Sequence, residues 1–198
     1  MRHLKAVVLA LMLLLVSCVS STQRQDFWPE NRNPPHEQPI HISVDKDFTD
    51  FEKAQINRAF KAWEVASSFK IQFVVTWDVP KPDWFKNTVP LKPEQGIFFW
   101  DLPRTYFHLN PKDKERADKL LGLTIYGPGE HSAHVIVYDG IEEPKFYSVA
   151  LHEIGHLLGL KHIATFSAMH ENALATCITE KDAEQLCDLY DCKPKPDC

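Results

Sequence analysis

The sequence predicts an α+β domain, and three observations carry that prediction. Five short segments read as strands. Three longer stretches read as helices. The first strand, helix and second strand follow one another in the manner of a parallel crossover. The chain has 198 residues, enough for one domain with a real core. Its 44% hydrophobic and 25% charged content are ordinary for a globular protein. A formal net charge of −5 disfavours a broad nucleic-acid-binding surface, so no nucleic-acid partner is expected.

The N-terminus reads as an address. Arg2 and Lys5 lead into an apolar run over residues 6–16, shorter than the roughly twenty residues a membrane-spanning helix needs. A basic start, a short apolar run and small residues afterwards predict an export signal over residues 1–17. The run ends in LVSC, which resembles the lipobox of bacterial lipoproteins. That resemblance implies that Cys18 becomes the mature N-terminus, carries acyl chains and anchors the protein to the extracytoplasmic face of a membrane. More than one chain makes such anchoring stable. The alternative is an ordinary secretory signal and a soluble secreted product. Removing residues 1–17 leaves 20 basic against 27 acidic side chains, a balance of −7. Residues 18–39 are polar and proline-rich and read as a lipid-anchored tether, which leaves residues 40–198 as the domain.

Within the domain, IHISV (residues 40–44) alternates apolar and polar side chains, the period of a half-buried strand. Thr49 or Asp50 can cap the helix that follows, in which Phe51, Ile56, Ala59, Phe60, Trp63 and Ala66 recur at helical spacing and are expected to face a sheet. Residues 69–77 read as the second strand. Segment 78–119 is crowded with prolines and with Trp84, Phe85, Phe98, Phe99, Trp100, Tyr106 and Phe107. GIFFW is its one strand-like stretch, and the aromatics are expected to pack a long loop over the core rather than line a groove. Residues 120–127 read as a strand ending in a Gly-Pro-Gly turn, and residues 134–140 as another. Residues 146–159 read as a helix. The last helix spans residues 179–190, with Thr179 as N-cap and Asp182 as its capping-box partner.

The second of these helices carries HEIGHLLGLKH, residues 152–162. Residues four apart share a helix face, so His152 and His156 point the same way and can share one metal ion. Glu153 lies one step round, placed for a water on the metal's open side. Gly159 can take the left-handed conformation that ends a helix, which lets the chain turn and bring His162 back as a third ligand. Three neutral imidazoles suit zinc and leave one position for water, whose pKa zinc lowers towards about 7. Glu153 can then take the water's proton and pass it to a leaving amine.

The spacing H-E-x-x-H-x-x-G-x-x-H resembles the signature of the metzincin metalloproteases. Met169, in SAMH, stands seven residues past His162 and is the only methionine beyond the signal segment, so it matches the family's methionine-bearing turn. The strand–helix opening, LTIYG and HVIVYDG ahead of the active helix, and the final helix resemble the layout of a matrixin catalytic domain over residues 40–190. The resemblance implies a twisted mixed sheet of about five strands with three helices and a zinc cleft between the sheet and the Met-turn. It implies one catalytic zinc on His152, His156 and His162, Glu153 as catalytic base, and residues 120–126 as an edge strand that pairs with an extended peptide.

Some positions depart from the family. Ile163 stands where matrixins carry Ser or Thr, and Ala168 where a bulkier aliphatic is usual. No cysteine-switch segment is present. His134 falls where a structural-zinc ligand would, but LTIYG lacks its partner, and His131, Asp139 and Glu142 are expected to be solvated. Neither a second zinc nor a structural calcium is expected. Cys177, Cys187, Cys192 and Cys198 form an even set that fits two disulfides in an exported chain. If residues 180–190 are helical, Cys177 and Cys187 lie about 15 Å apart along the axis, beyond the roughly 7 Å limit between bridged Cα atoms. Cys192 lies still further along, so Cys177–Cys198 with Cys187–Cys192, the tail running back along the helix, is the pairing expected. The functional expectation is a monomeric zinc endopeptidase acting on peptides or proteins. The rivals are a catalytically silent zinc-bearing surface binding lipoprotein and a zinc hydrolase of cell-wall peptides.

Overall fold

Period-two strands and one strongly apolar helix stripe set the frame. A computed structural model describes residues 35, 37–81, 96–102, 120–126, 132–173 and 175–198. Its elements are β1 (Ile40–Asp45), α1 (Asp50–Ala66), β2 (Phe73–Val79), β3 (Gly96–Leu102), β4 (Gly122–Tyr126), β5 (Ser132–Tyr138), α2 (Glu143–Leu157) and α3 (Glu180–Tyr190). The strands form one sheet in the order β2-β1-β3-β5-β4. β1 runs parallel to β2 and β3, β3 runs parallel to β5, and β4 runs antiparallel to β5. This is the α+β, five-stranded, three-helix architecture that the sequence predicts, and β1–α1–β2 is its parallel crossover.

Thr49 caps α1. Glu52 N–H donates to Thr49 Oγ1, and Thr49 N–H donates back to the Glu52 carboxylate at 2.8 Å. Ile56, Ala59, Phe60, Trp63 and Ala66 are buried and pack with Ile42, Val44, Phe99, Val135 and α2 in the main core. Phe51 does not join them and stays 38% exposed. At about 100° per residue it points about 140° away from Ile56, off the buried stripe. The second strand starts at Phe73 rather than at residue 69, because Ser68 and Phe69 adopt left-handed φ of 50° and 63° to reverse the chain after α1. The active helix starts at Glu143 rather than at residue 146, with Pro144 in its first turn, where the missing N–H has no helical partner to lose.

Alternation on β3 divides its aromatics between the two faces of the sheet. Phe99 enters the main core, while Trp100 and Leu102, with Phe98 against them, join Ile136 and Tyr138 in a second, smaller cluster. Trp84, Phe85, Tyr106 and Phe107, the turn expected at residues 127–129, His131, the export signal expected over residues 1–17 and Cys18 lie outside the described residues.

The C-terminal tail is tied down. Cys177–Cys198 and Cys187–Cys192 are bonded, with Cα separations of 5.7 and 4.5 Å. Lys195 N–H donates to the Ala66 carbonyl, and Asp197 N–H to that of Ile178, each at 3.0 Å. Residues just before β1 also touch the domain: Gln72 N–H donates to Gln38 Oε1 at 2.9 Å, and the Tyr190 hydroxyl donates to the Pro35 carbonyl at 3.3 Å.

Candidate active site

Helix α2 presents His152 and His156 from one face, and its end is built to return the third histidine. Leu158 is the C-cap, and Gly159 follows with φ +88°. Gly159 N–H donates to the His156 carbonyl at 2.8 Å and Leu160 N–H to the Gly155 carbonyl at 3.0 Å, the two bonds of a Schellman ending. The Tyr126 hydroxyl, reaching across from β4, meets the last helix carbonyls, those of His156 and, at 2.8 Å, of Leu157. Beyond Gly159 the chain reverses, and His162 comes back beside the helix.

Three imidazoles converge there. His162 Nε2 lies 3.1 Å from His156 Nε2 and 3.3 Å from His152 Nε2. The far nitrogens are committed elsewhere: His152 Nδ1 meets the Ala168 carbonyl at 2.9 Å and His156 Nδ1 the Leu160 carbonyl at 3.0 Å. A carbonyl only accepts, so each Nδ1 carries the proton and each Nε2 turns a bare lone pair inward. A tetrahedral zinc with nitrogen bonds of about 2.0–2.1 Å spaces its ligands by about 3.3 Å, so the triad fits that ion. His152 and His156 are buried, and burial pushes the His152 imidazole down to about 4, which keeps it neutral as a ligand must be. His162 is the exposed member, at the open side.

Glu153 is buried beside the triad. Its carboxylate accepts from the Thr124 hydroxyl of β4 at 2.8 Å, and the same hydroxyl lies 3.0 Å from the Glu153 carbonyl. Burial raises the carboxyl to about 8, against the Thr124 hydrogen bond, which lowers it; a cation held by the triad would lower it further and favour the ionised form. Gly122, also on β4, leaves the room this side chain fills: a Cβ there would sit 2.7 Å from Glu153 Cγ and 2.8 Å from Oε1.

The floor is a second tight fit. Met169 is fully buried, and a Cβ on Gly155 would meet its sulfur at 2.2 Å and the Trp63 ring at 2.9 Å. Ile163 N–H donates to the Met169 carbonyl at 2.9 Å, closing the loop from the third histidine. Buried Asp182 holds the same turn from α3. Its carboxylate accepts from Ala168 N–H (2.9 Å), Met169 N–H (3.1 Å), Thr179 N–H (2.9 Å) and the Thr179 hydroxyl (2.7 Å). The residue that completes the capping box of α3 therefore also fixes the turn whose Ala168 carbonyl orients His152.

Sequence reasoning did not assign roles to Thr124, Gly122, Gly155 or the second duty of Asp182. Gly155 left a readable trace, since a glycine inside an apolar helix costs about 1 kcal/mol and signals close approach. His134 stands apart from the site. The Trp100 indole N–H donates to its Nδ1 at 3.0 Å, so the proton sits on Nε2, which has no hydrogen-bond partner among the described residues. That is not the form in which Nε2 ligates a metal, and burial holds the ring neutral by pushing its pKa to about 4. Asp139 and Glu142 are exposed.

Comparison with known protein families matches residues 99–191 to the matrixin family model, a stretch running from β3 through α3 that contains the whole histidine constellation, the Met-turn and Asp182. No curated protein matches the chain.

Proposed function

We propose that this matrixin-like chain is a zinc-dependent endopeptidase, exported and held at the extracytoplasmic face of a membrane through a lipidated Cys18. The observation that carries the reading is the convergence of three inward Nε2 atoms beside a buried carboxylate, under a strand that is the sheet's edge among the described residues. His152, His156 and His162 would hold the ion. When bound, zinc supplies Lewis-acid polarisation of the scissile carbonyl and makes water a competent nucleophile near neutral pH.

The rest is done by the chain. β4 pairs only with β5 among the described residues. Its outer edge offers backbone groups to an extended peptide, which fixes substrate orientation and register. Glu153 takes a proton from the water that attacks the carbonyl carbon and delivers it to the amine nitrogen as the C–N bond breaks. Met169, Gly155 and Asp182 keep the floor rigid, so the ligands need no rearrangement.

Incubation with a diverse peptide library and with peptidoglycan, with and without a chelator, tests this directly. Chelator-sensitive cleavage of internal peptide bonds, restored by zinc, is expected. Zinc binding without turnover, or activity confined to peptidoglycan, would displace the reading. Mass spectrometry of the mature N-terminus tests the anchor and is expected to find acylated Cys18; cleavage after Ser20 would contradict it.

A further inference from the structure

The edge strand bonds one oxygen of the Glu153 carboxylate and leaves room for the other. Thr124 Oγ1 lies 2.8 Å from Oε2, and the empty Cβ position of Gly122 lies 2.8 Å from Oε1. Both residues sit on the same face of β4, two apart. Thr124 is itself buried, and its hydroxyl has one proton and two acceptors within reach, Glu153 Oε2 and, at 3.0 Å, the Glu153 carbonyl. Among the described residues, a buried hydroxyl at that point is therefore directed at one residue of α2, through both its backbone and its side chain. A β-branched side chain is stiff at χ1, which holds the hydroxyl in place.

We propose that Thr124 is a positioning residue for catalysis: from the strand expected to receive the substrate backbone, it fixes the carboxylate of Glu153, in a slot that only a glycine at position 122 leaves open. This rests on the endopeptidase reading above. The hydroxyl can serve the carboxylate at both ends of the proton transfer. It donates to Oε2 while Glu153 is ionised. Once the other carboxyl oxygen carries the water's proton, Oε2 is the carbonyl oxygen of the acid and still accepts from Thr124, which leaves that proton free for the amine. No rearrangement of α2 is needed in either state. Because β4 would bind the peptide and hold the base, the scissile bond and the base share one reference frame, and a base displaced by about 1 Å can cost about 100-fold in rate.

The test compares the wild-type enzyme with Thr124→Val, which keeps the shape and removes the hydroxyl, and with Thr124→Ser, which restores it. kcat and KM on one peptide, zinc content and thermal midpoint are measured for each. The expected result for Thr124→Val is a kcat at least about 10-fold lower, with zinc content and KM within about 2-fold of wild type, and Thr124→Ser should recover most of the loss. A purely structural role would instead move the thermal midpoint or zinc content, and substrate binding alone would move KM. An unchanged kcat in Thr124→Val, or equal loss in Thr124→Ser, overturns the proposal. Should Thr124→Val not fold, Gly122→Ala carries the test, since it leaves the hydroxyl in place and crowds the carboxylate. A lower kcat at wild-type zinc content is then expected, and an undiminished kcat overturns the proposal. Failure of the endopeptidase reading looks different, because the wild type itself would then cleave no peptide.

Discussion

Replacing Asp182 with asparagine probes how strongly the Met-turn is held. The carboxylate receives four donors, three on Oδ2 and Met169 N–H on Oδ1. In the better amide orientation the asparagine oxygen keeps the three. Each then loses charge assistance, worth about 0.5–1 kcal/mol, and Met169 N–H faces an NH2 group and goes unsatisfied at a cost of about 1–3 kcal/mol. The opposite orientation sets three donors against the NH2 and is worse. Relief from burying a charge offsets part of this, leaving about 2–4 kcal/mol, a large share of the about 5–15 kcal/mol typical of a domain. Urea denaturation should show a lower midpoint at unchanged m-value. Because the Ala168 carbonyl orients His152, zinc should also be lost at lower chelator concentration. A loss of stability below about 0.5 kcal/mol would instead mean that the four bonds contribute nothing net.

Two further perturbations follow from the same geometry. Gly155→Ala places a methyl 2.2 Å from the Met169 sulfur. Overpacking of about 1–3 kcal/mol should outweigh the gain in helix propensity, and a urea midpoint at or above wild type would contradict this. Asp101 is pushed up from 3.8 to about 6 by burial first and then by Glu52, with Asp45 and Asp139 adding to the rise and Lys81 opposing it. The folded chain thus binds this proton more tightly than the unfolded chain. Its contribution is full below about pH 4 and is lost as pH rises through about 6. Asp101→Asn should therefore gain thermal midpoint relative to wild type between pH 4 and pH 7.5, and a constant difference across that range would contradict the assignment.

How far the sequence reaches depends on whether a feature is local. The capping boxes at Thr49–Glu52 and Thr179–Asp182, the stripe on α1 and the histidine spacing on α2 are set within a few residues, and periodicity finds the elements they belong to. The helix break at Gly159 is equally local. The left-handed turn at Ser68 and Phe69 is not legible, since neither residue favours positive φ and tertiary packing decides it. Thr124, Gly122 and Asp182 act on residues 29, 31 and 13–14 positions away, so nothing in their own neighbourhood announces them. Only pairing β4 antiparallel to β5 and laying α2 beneath it brings Thr124 to Glu153.

In the proposed mechanism a histidine-held zinc and Glu153 together hydrolyse peptide bonds. The most direct measurement compares peptide cleavage by wild type and by Glu153→Gln at matched zinc content. The variant should retain zinc as wild type does while kcat falls by at least about 100-fold. Undiminished cleavage by zinc-loaded Glu153→Gln would contradict this mechanism.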